Sequence, residues 1–302
     1  MIRFSYLLVF FVIIVSSGHV IAHEYMNPKH SHAHFIPVAD EKNMVTIIND
    51  GEYRYITSNG IPDHIIGQFP NRSNPNSILP QTHKYRVMLN PQKTGRIFEQ
   101  RGVIGVALNG IPFEPATAEC YGRSRGDELD DSRPCEWREE AIVAGRGRFG
   151  LDQNNGHVQP TGAYHYHGIP YGLMEILEGR ELVHVGYAAD GFPLMVSRSG
   201  KYKPGWRMRK GRRPQEEDSP GGYYDGTYTQ DFMYLENIGD LDQCNGIELE
   251  ELGYVYFITE EFPFAPRCLM GQVDQSFKRR AIPPFIENGD LPPAHPFIGR
   301  GR

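Results

Sequence analysis

The chain has 302 residues, a formal net charge of −6 and a pI near 6.1. That length allows one large domain or two small ones, and an acidic balance with no dominant basic face excludes nucleic acid as the main partner. With 33 Gly and 23 Pro, long uninterrupted helices are excluded as well.

Residues 1–22 read as a signal peptide outside the fold, with an uncleaved anchor as the alternative. Arg3 gives a positive start, Phe4 to Val15 is an apolar run too short to span a bilayer comfortably, and Val20-Ile-Ala22 fits a small-residue cleavage site. No other long apolar run follows, so a secreted or periplasmic chain with no membrane span after cleavage is expected. Residues 23–44 form a histidine-rich leader carrying His23, His30, His32 and His34. An amino-terminal His23 would offer amine and imidazole together, a set that suits Cu(II). The plainer reading, a disordered leader that picks up metal loosely, is preferred.

From Val45 the pattern turns to β: Val45-Thr-Ile-Ile48, a turn at Asn49-Asp-Gly51, then Tyr53 to Thr57. Asn59-Gly-Ile-Pro62, Asn109-Gly-Ile-Pro112, Gly168-Ile-Pro170 and Asp190-Gly-Phe-Pro193 read as corners between short strands. Residues 70–83 read as a loop, with a glycosylation sequon at Asn71-Arg-Ser73. Residues 114–140 read as an acidic excursion pinned by a cysteine pair, and Trp137 to Val143 and Leu173 to Leu177 as short helices. Four cysteines in an exported chain point to disulfides, and proximity favours Cys120–Cys135 and Cys244–Cys268. The basic stretch Lys201 to Arg213 reads as a solvated loop, Tyr223 to Tyr234 as strand-like, and residues 278–302 as a poorly packed Pro/Gly-rich tail. The expected fold is thus mainly β: one compact domain over residues 45–277, of short strands and Gly/Pro turns with few short helices.

The stretch that carries chemistry is Leu151-Asp-Gln-Asn-Asn-Gly-His157-Val-Gln-Pro-Thr-Gly-Ala-Tyr164-His165-Tyr166-His167-Gly168, with three histidines in eleven residues. Tyr-His-Tyr-His between two turns predicts a short strand whose alternation puts His165 and His167 on one face. The Gln-Pro-Thr-Gly turn would fold His157 back beside them. Leu241-Asp-Gln-Cys-Asn-Gly246 and Tyr254-Val-Tyr256-Phe257 repeat the stretch at an offset of 90 (241 − 151 and 254 − 164). This reads as an internal duplication of one β unit, with convergent turn chemistry as the alternative. The tyrosines recur, whereas His157, His165 and His167 become Ile247, Val255 and Phe257. Apolar residues fill those places in the second copy, so the backbone does not require histidine there, and a metal site is expected in the first.

Imidazole clusters suit zinc or copper. His64 and His184, or the carboxylates Asp190 and Asp152, are candidates for a fourth ligand or for orienting a ligand imidazole. Calcium at Asp152 to Gly156 is less favoured, because the distal glutamate of a calcium loop is missing and an Asx turn explains the run. Gly-x-Ser-x-Gly, Walker, His-Glu-x-x-His and dinucleotide motifs are absent. Three function classes stay open: a metal-dependent hydrolase or oxidoreductase, a metal carrier without turnover, and a structural extracellular domain.

The run from Leu151 to Gly168 resembles the signature of the YHYH-domain family, named after that tetrapeptide. Asn59-Gly-Ile-Pro-Asp-His64, Gly105 to Phe113, Gly186 to Pro193 and Leu241 to Gly246 extend the resemblance from about residue 55 to 272. The resemblance implies export and supplies no mechanism.

Overall fold

A computed structural model describes residues 41–100, 102–123, 135–177 and 180–278. The expected signal peptide, the histidines His23, His30, His32 and His34, and all of the tail beyond Lys278 lie outside the described residues. The protein is mainly β, with 36% strand and 5% helix.

β1 (Val45–Asp50) and β2 (Tyr53–Ser58) form the expected hairpin about Gly51, and β3 (His83–Met88) joins them as a third antiparallel strand. β4 (Lys93–Glu99) leads to a tight pair, β5 (Gly105–Ala107) and β6 (Pro112–Phe113), turning at Asn109-Gly110. A ribbon of β7 (Ile142–Val143) and β8 (Arg146–Gly147) precedes the hairpin of β9 (Gly156–Val158) and β10 (Tyr164–Tyr166). After the helix α1 (Tyr171–Ile176) come β11 (Leu182–Ala188) and β12 (Pro193–Ser197). A ribbon of β13 (Trp206–Met208) and β14 (Phe232–Tyr234) follows, then the hairpin of β15 (Gly246–Leu249) and β16 (Gly253–Phe257). β17 (Cys268–Gly271) returns to pair with β4.

Eight of these strands make one sheet in the order β15-β16-β12-β11-β5-β6-β10-β9. The order shows the duplication in space. Each half runs from the centre through a corner hairpin to a parallel neighbour and ends on a Tyr-bearing hairpin. At the centre β5 and β11 pair antiparallel, Gly105 opposite Ala188, Val106 opposite Tyr187 and Ala107 opposite Gly186. Counterparts here lie 81 residues apart (186 − 105, 193 − 112), and exchanging every residue for its counterpart reproduces the same three pairs.

The two outer hairpins share one local chemistry. The Asp152 carboxylate accepts the N–H groups of Asn154 (2.8 Å) and Gly156 (3.1 Å), and Asp242 accepts those of Cys244 (2.9 Å) and Gly246 (3.0 Å). These are Asx turns. Asn155 (φ 53°) and Asn245 (φ 63°) take the left-handed conformation at the same point. The hydroxyls of Tyr164 and Tyr254 donate to those aspartates at 2.8 and 2.7 Å, passing over Gly156 and Gly246, where a Cβ would collide with them. Tyr164, Tyr166, Tyr254 and Tyr256 all sink into the main core.

Both expected disulfides are present, Cys120–Cys135 and Cys244–Cys268. Leu173 to Leu177 falls largely in α1, as expected. Trp137 to Val143 is not a helix: Arg138 and Glu139 bridge to Cys120 and Tyr228, and Ile142–Val143 is β7. Pairing partners on both sides override a weakly helical pattern. Lys201 to Arg213 is also less loop-like than expected. Trp206–Met208 is β13, and Arg213 is buried against Asp231 with bonds of 2.7 and 2.6 Å.

Candidate metal centre

β10 places His165 on the face of the sheet opposite Tyr164 and Tyr166, and His167 follows one residue past the strand on the same face. His157 on β9 is the direct cross-strand partner of His165. The fold-back across Gln159 to Gly162 therefore brings all three imidazoles together. The His165 and His167 Nε2 atoms lie 2.9 Å apart, the His167 and His157 Nε2 atoms 3.1 Å, and one nitrogen from each ring falls within a 4.8 Å cluster. His165 and His167 are 3% and 2% exposed, and His157 is half-buried.

The far side of two of the rings settles their tautomer. His157 Nδ1 donates to the Phe149 carbonyl at 2.9 Å, and His167 Nδ1 to the Pro115 carbonyl at 3.3 Å. A neutral imidazole that donates through Nδ1 keeps a lone pair on Nε2. Two such lone pairs therefore face each other at 3.1 Å, which is repulsive unless a cation lies between them. His165 Nδ1 is buried beside the Ala163 carbonyl without a well-formed bond. Burial pushes the pKa of His165 and His167 well below that of an ordinary histidine, and the neighbouring imidazoles push it further. His157 is lowered by burial too, partly offset by its Phe149 bond and the charges of Glu119 and Asp152. The centre thus presents three neutral nitrogens. Metal bonds of about 2.0–2.1 Å in tetrahedral geometry set donors about 3.3 Å apart, so small ring rotations would admit an ion. Nδ1 bonded to backbone carbonyl is also the usual way a protein orients a ligand histidine.

The other sequence candidates do not join the cluster. His64 Nε2 accepts from the Tyr166 hydroxyl at 2.5 Å on the opposite face. That hydroxyl also accepts from Asn109, which donates to Asp63 as well. His184 Nε2 donates to the Gly186 carbonyl in the other half of the sheet. Asp152 is occupied by its turn, the Gly67 N–H and Tyr164. Asp190 accepts from Tyr256 (2.7 Å) and the Gly271 N–H (2.9 Å), and burial raises its pKa.

Two residues that sequence reasoning missed share the histidine face. Glu114, one residue beyond β6, donates its N–H to the Tyr166 carbonyl at 2.9 Å, which sets it beside His167. Gln159, one residue beyond β9, donates its side-chain amide to Glu114 at 2.6 Å, across β10. A signal existed: Gln159 matches Leu249 at the offset of 90, and Glu114 matches Met195 at the offset of 81. At the other end of the sheet Met195, Val255 and Phe257 pack together with Leu241, Ile247 and Leu249. Five of those six apolar residues correspond to Glu114, His157, Gln159, His165 and His167, and only Leu241 keeps its character, as Leu151.

Fold and site together define a duplicated β-sheet protein with a three-imidazole cluster on one outer hairpin and an apolar patch on the other. Residues 84–271 match the family model described as YHYH protein, which is more than half of the chain, and the chain belongs to that family. The match begins after the Asn59 to His64 motif, so that motif is not part of it. No curated protein and no solved structure matches the chain. No helix among the described residues is long and apolar enough to cross a membrane.

Proposed function

We propose that this protein is an exported metal-binding member of the YHYH family whose His157, His165 and His167 hold one transition-metal ion, zinc or copper. The observation that carries the reading is the convergence of three Nε2 atoms while the Nδ1 atoms of His157 and His167 donate to backbone carbonyls. With Nδ1 of both rings donating, the Nε2 lone pairs of His157 and His167 face each other at 3.1 Å, which an ion would relieve. Burial of two of the three ligands favours a resident ion over cargo that is loaded and released.

Three protein ligands leave a coordination position open. A zinc ion there would supply an activated water for hydrolysis, and copper would supply redox chemistry. The chain's own part is to hold three imidazoles neutral and oriented, with His157 at the half-buried side through which water or substrate would enter. A centre of hydrolase or oxidoreductase type is therefore preferred over a carrier. The two disulfides agree with export, and the first residue of the secreted protein, expected to be His23, is checked by mass spectrometry.

The test is elemental analysis of protein purified without a histidine tag. The wild type is compared with a variant carrying His157→Ile, His165→Val and His167→Phe. One equivalent of zinc or copper present in the first and lost from the second supports the reading. An equal metal content would move the ion elsewhere in the chain.

A further inference from the structure

We propose that Glu119 is the proton acceptor of this centre, taking a proton from water at the open coordination position and directing the chemistry to hydrolysis of an uncharged ester or amide. The inference rests on the reading of the triad as a metal site.

Its first support is placement. Two residues past β6, the Pro115 carbonyl takes His167 Nδ1 at 3.3 Å, so the segment begins against the buried end of the triad. Four residues on, the Glu119 carbonyl takes the Glu139 N–H at 3.0 Å, and the next residue, Cys120, bridges to Arg138 and is tied to Cys135. Glu139 in turn pairs with Arg148, whose neighbour Phe149 supplies the carbonyl that orients His157. Glu119 is thereby held on the side of His157, the half-buried member of the triad. The electrostatics agree, since the carboxylates whose charges act on His157 are Glu119 and Asp152.

The second support is that Glu119 is not spent elsewhere. Asp152 is taken up by its turn, by the Gly67 N–H and by Tyr164. Glu114 holds Gln159, Glu139 pairs with Arg148, and Glu140 pairs with Arg267. Among the described residues no side chain or N–H group is bonded to the Glu119 carboxylate, which is half-buried. It also lies outside the 4.8 Å cluster of ligand atoms, so it is not a fourth ligand. A carboxylate at the entrance that is free of other bonds and one step beyond the ligands is placed to bond to water that the ion holds.

The step balances without a co-reactant. An O–H bond of the water breaks, its proton passes to Glu119, and its oxygen forms a bond to the carbonyl carbon. The C–O or C–N bond then breaks, the leaving atom takes that proton from Glu119, and nothing is oxidised or reduced. Charge sets the substrate class. Glu119 and Asp152 make the His157 side negative, and Arg267, the cation that bears on His167, is paired with Glu140 at 2.7 Å. Phosphoryl transfer needs cationic groups directed at the phosphate oxygens, whereas a neutral acyl group needs the ion and the base alone.

The experiment uses the metal-free full chain reloaded with one equivalent of Zn(II), and compares wild type with Glu119→Gln and Glu119→Asp. Zn(II) affinity is read by competition with a chromophoric chelator, and hydrolysis with p-nitrophenyl acetate and p-nitrophenyl phosphate. For Glu119→Gln the Zn(II) Kd is expected to change by far less than the roughly 10- to 100-fold that a ligand-orienting contact is worth. Its zinc-dependent hydrolysis of the acetate is expected to fall by about 10²- to 10⁴-fold. Glu119→Asp keeps the carboxylate and is expected to lie between the two. A Zn(II) Kd that rises in step with the lost rate would mean a ligand or a structural role, and an unchanged rate would remove Glu119 from the chemistry. Wild type that binds Zn(II) but does not hydrolyse the acetate, or that prefers the phosphate, would overturn the inference as well. All these results leave the triad intact. If the variant lacking His157, His165 and His167 binds Zn(II) like wild type, the triad reading itself fails and the inference goes with it.

Discussion

The hairpins at the two ends of the central sheet are nearly the same object built for different ends. Both start from an Asp-based turn, pass an asparagine in the left-handed conformation, slot a tyrosine over a glycine and bury two tyrosines on the inner face. On the outer face they part. The β9–β10 hairpin carries Glu114, His157, Gln159, His165 and His167 around it, and the β15–β16 hairpin carries Met195, Ile247, Leu249, Val255 and Phe257. The chain after the corner strand parts as well. In the second half β12 runs on to Ser197, whereas in the first β6 stops at Phe113 and the chain turns away, presenting the Pro115 carbonyl to His167. The inner face specifies the hairpin, and the outer face is free to take either an oily or a metal-binding set.

The strongest way to break this comparison is to make the first hairpin like the second. The variant with His157→Ile, His165→Val and His167→Phe is expected to fold and to lose metal affinity by three or more orders of magnitude, about 4 kcal/mol or more, in a metal titration followed beside a thermal melt. A variant that does not fold would show that the two outer faces are not interchangeable.

The reverse exchange is expected to fail in an informative way. Ile247→His, Val255→His and Phe257→His place imidazoles where no turned-away segment offers a carbonyl, because the counterpart of Pro115 is Val196 within β12. Buried and unsatisfied, they should cost about 2–5 kcal/mol, and zinc should not restore the melting temperature. A full rescue by zinc would show that the Pro115 carbonyl is dispensable.

Gly156→Ala and Gly246→Ala sharpen the inner-face half of the comparison. Each new methyl meets a tyrosine hydroxyl, and each is expected to cost about 1–3 kcal/mol by urea denaturation. Closely similar losses are the expected result, and a large disparity would mean that the tyrosine slots are not equivalent.

The smallest effect is in pH. His165 and His167 have folded pKa values depressed by burial, so below about pH 6.5 the unfolded chain binds more protons than the metal-free fold. Stability is present above that pH and is lost as pH falls toward the depressed values, by up to about 1.4 kcal/mol per pH unit for each histidine. The slope of stability against pH between 6.5 and 5 should be shallower in His165→Val by about that amount for one group.

Much of this was legible in the sequence, for identifiable reasons. The 90-residue offset exposed the hairpins and isolated His157, His165 and His167, because strand alternation has a fixed period and repeated turn chemistry marks the register. Cysteine proximity led to both disulfides. Glu114 and Gln159 escaped because their relation is sideways, across β10, and needs a second offset of 81 that the Asn-Gly-Ile-Pro and Asp-Gly-Phe-Pro corners carry. Those corners read as turns alone. His64, Asp152 and Asp190 looked like ligands by type, but each is spent on hydrogen bonds that only the folded chain reveals. Arg213 read as solvated because its partner Asp231 lies 18 residues away.

The self-complementary pairing of β5 with β11 has a consequence for how such asymmetry can arise. Gly105 opposite Ala188 and Ala107 opposite Gly186 is the register that two identical half-length chains would adopt as a homodimer. In a dimer every substitution appears twice, so a buried polar set placed on one outer hairpin would be imposed on the other. Joining the halves into a single chain removes that constraint. One end can carry charge and imidazole at the expense of stability while its twin packs aliphatic and aromatic side chains that help to offset the loss through the sheet they share.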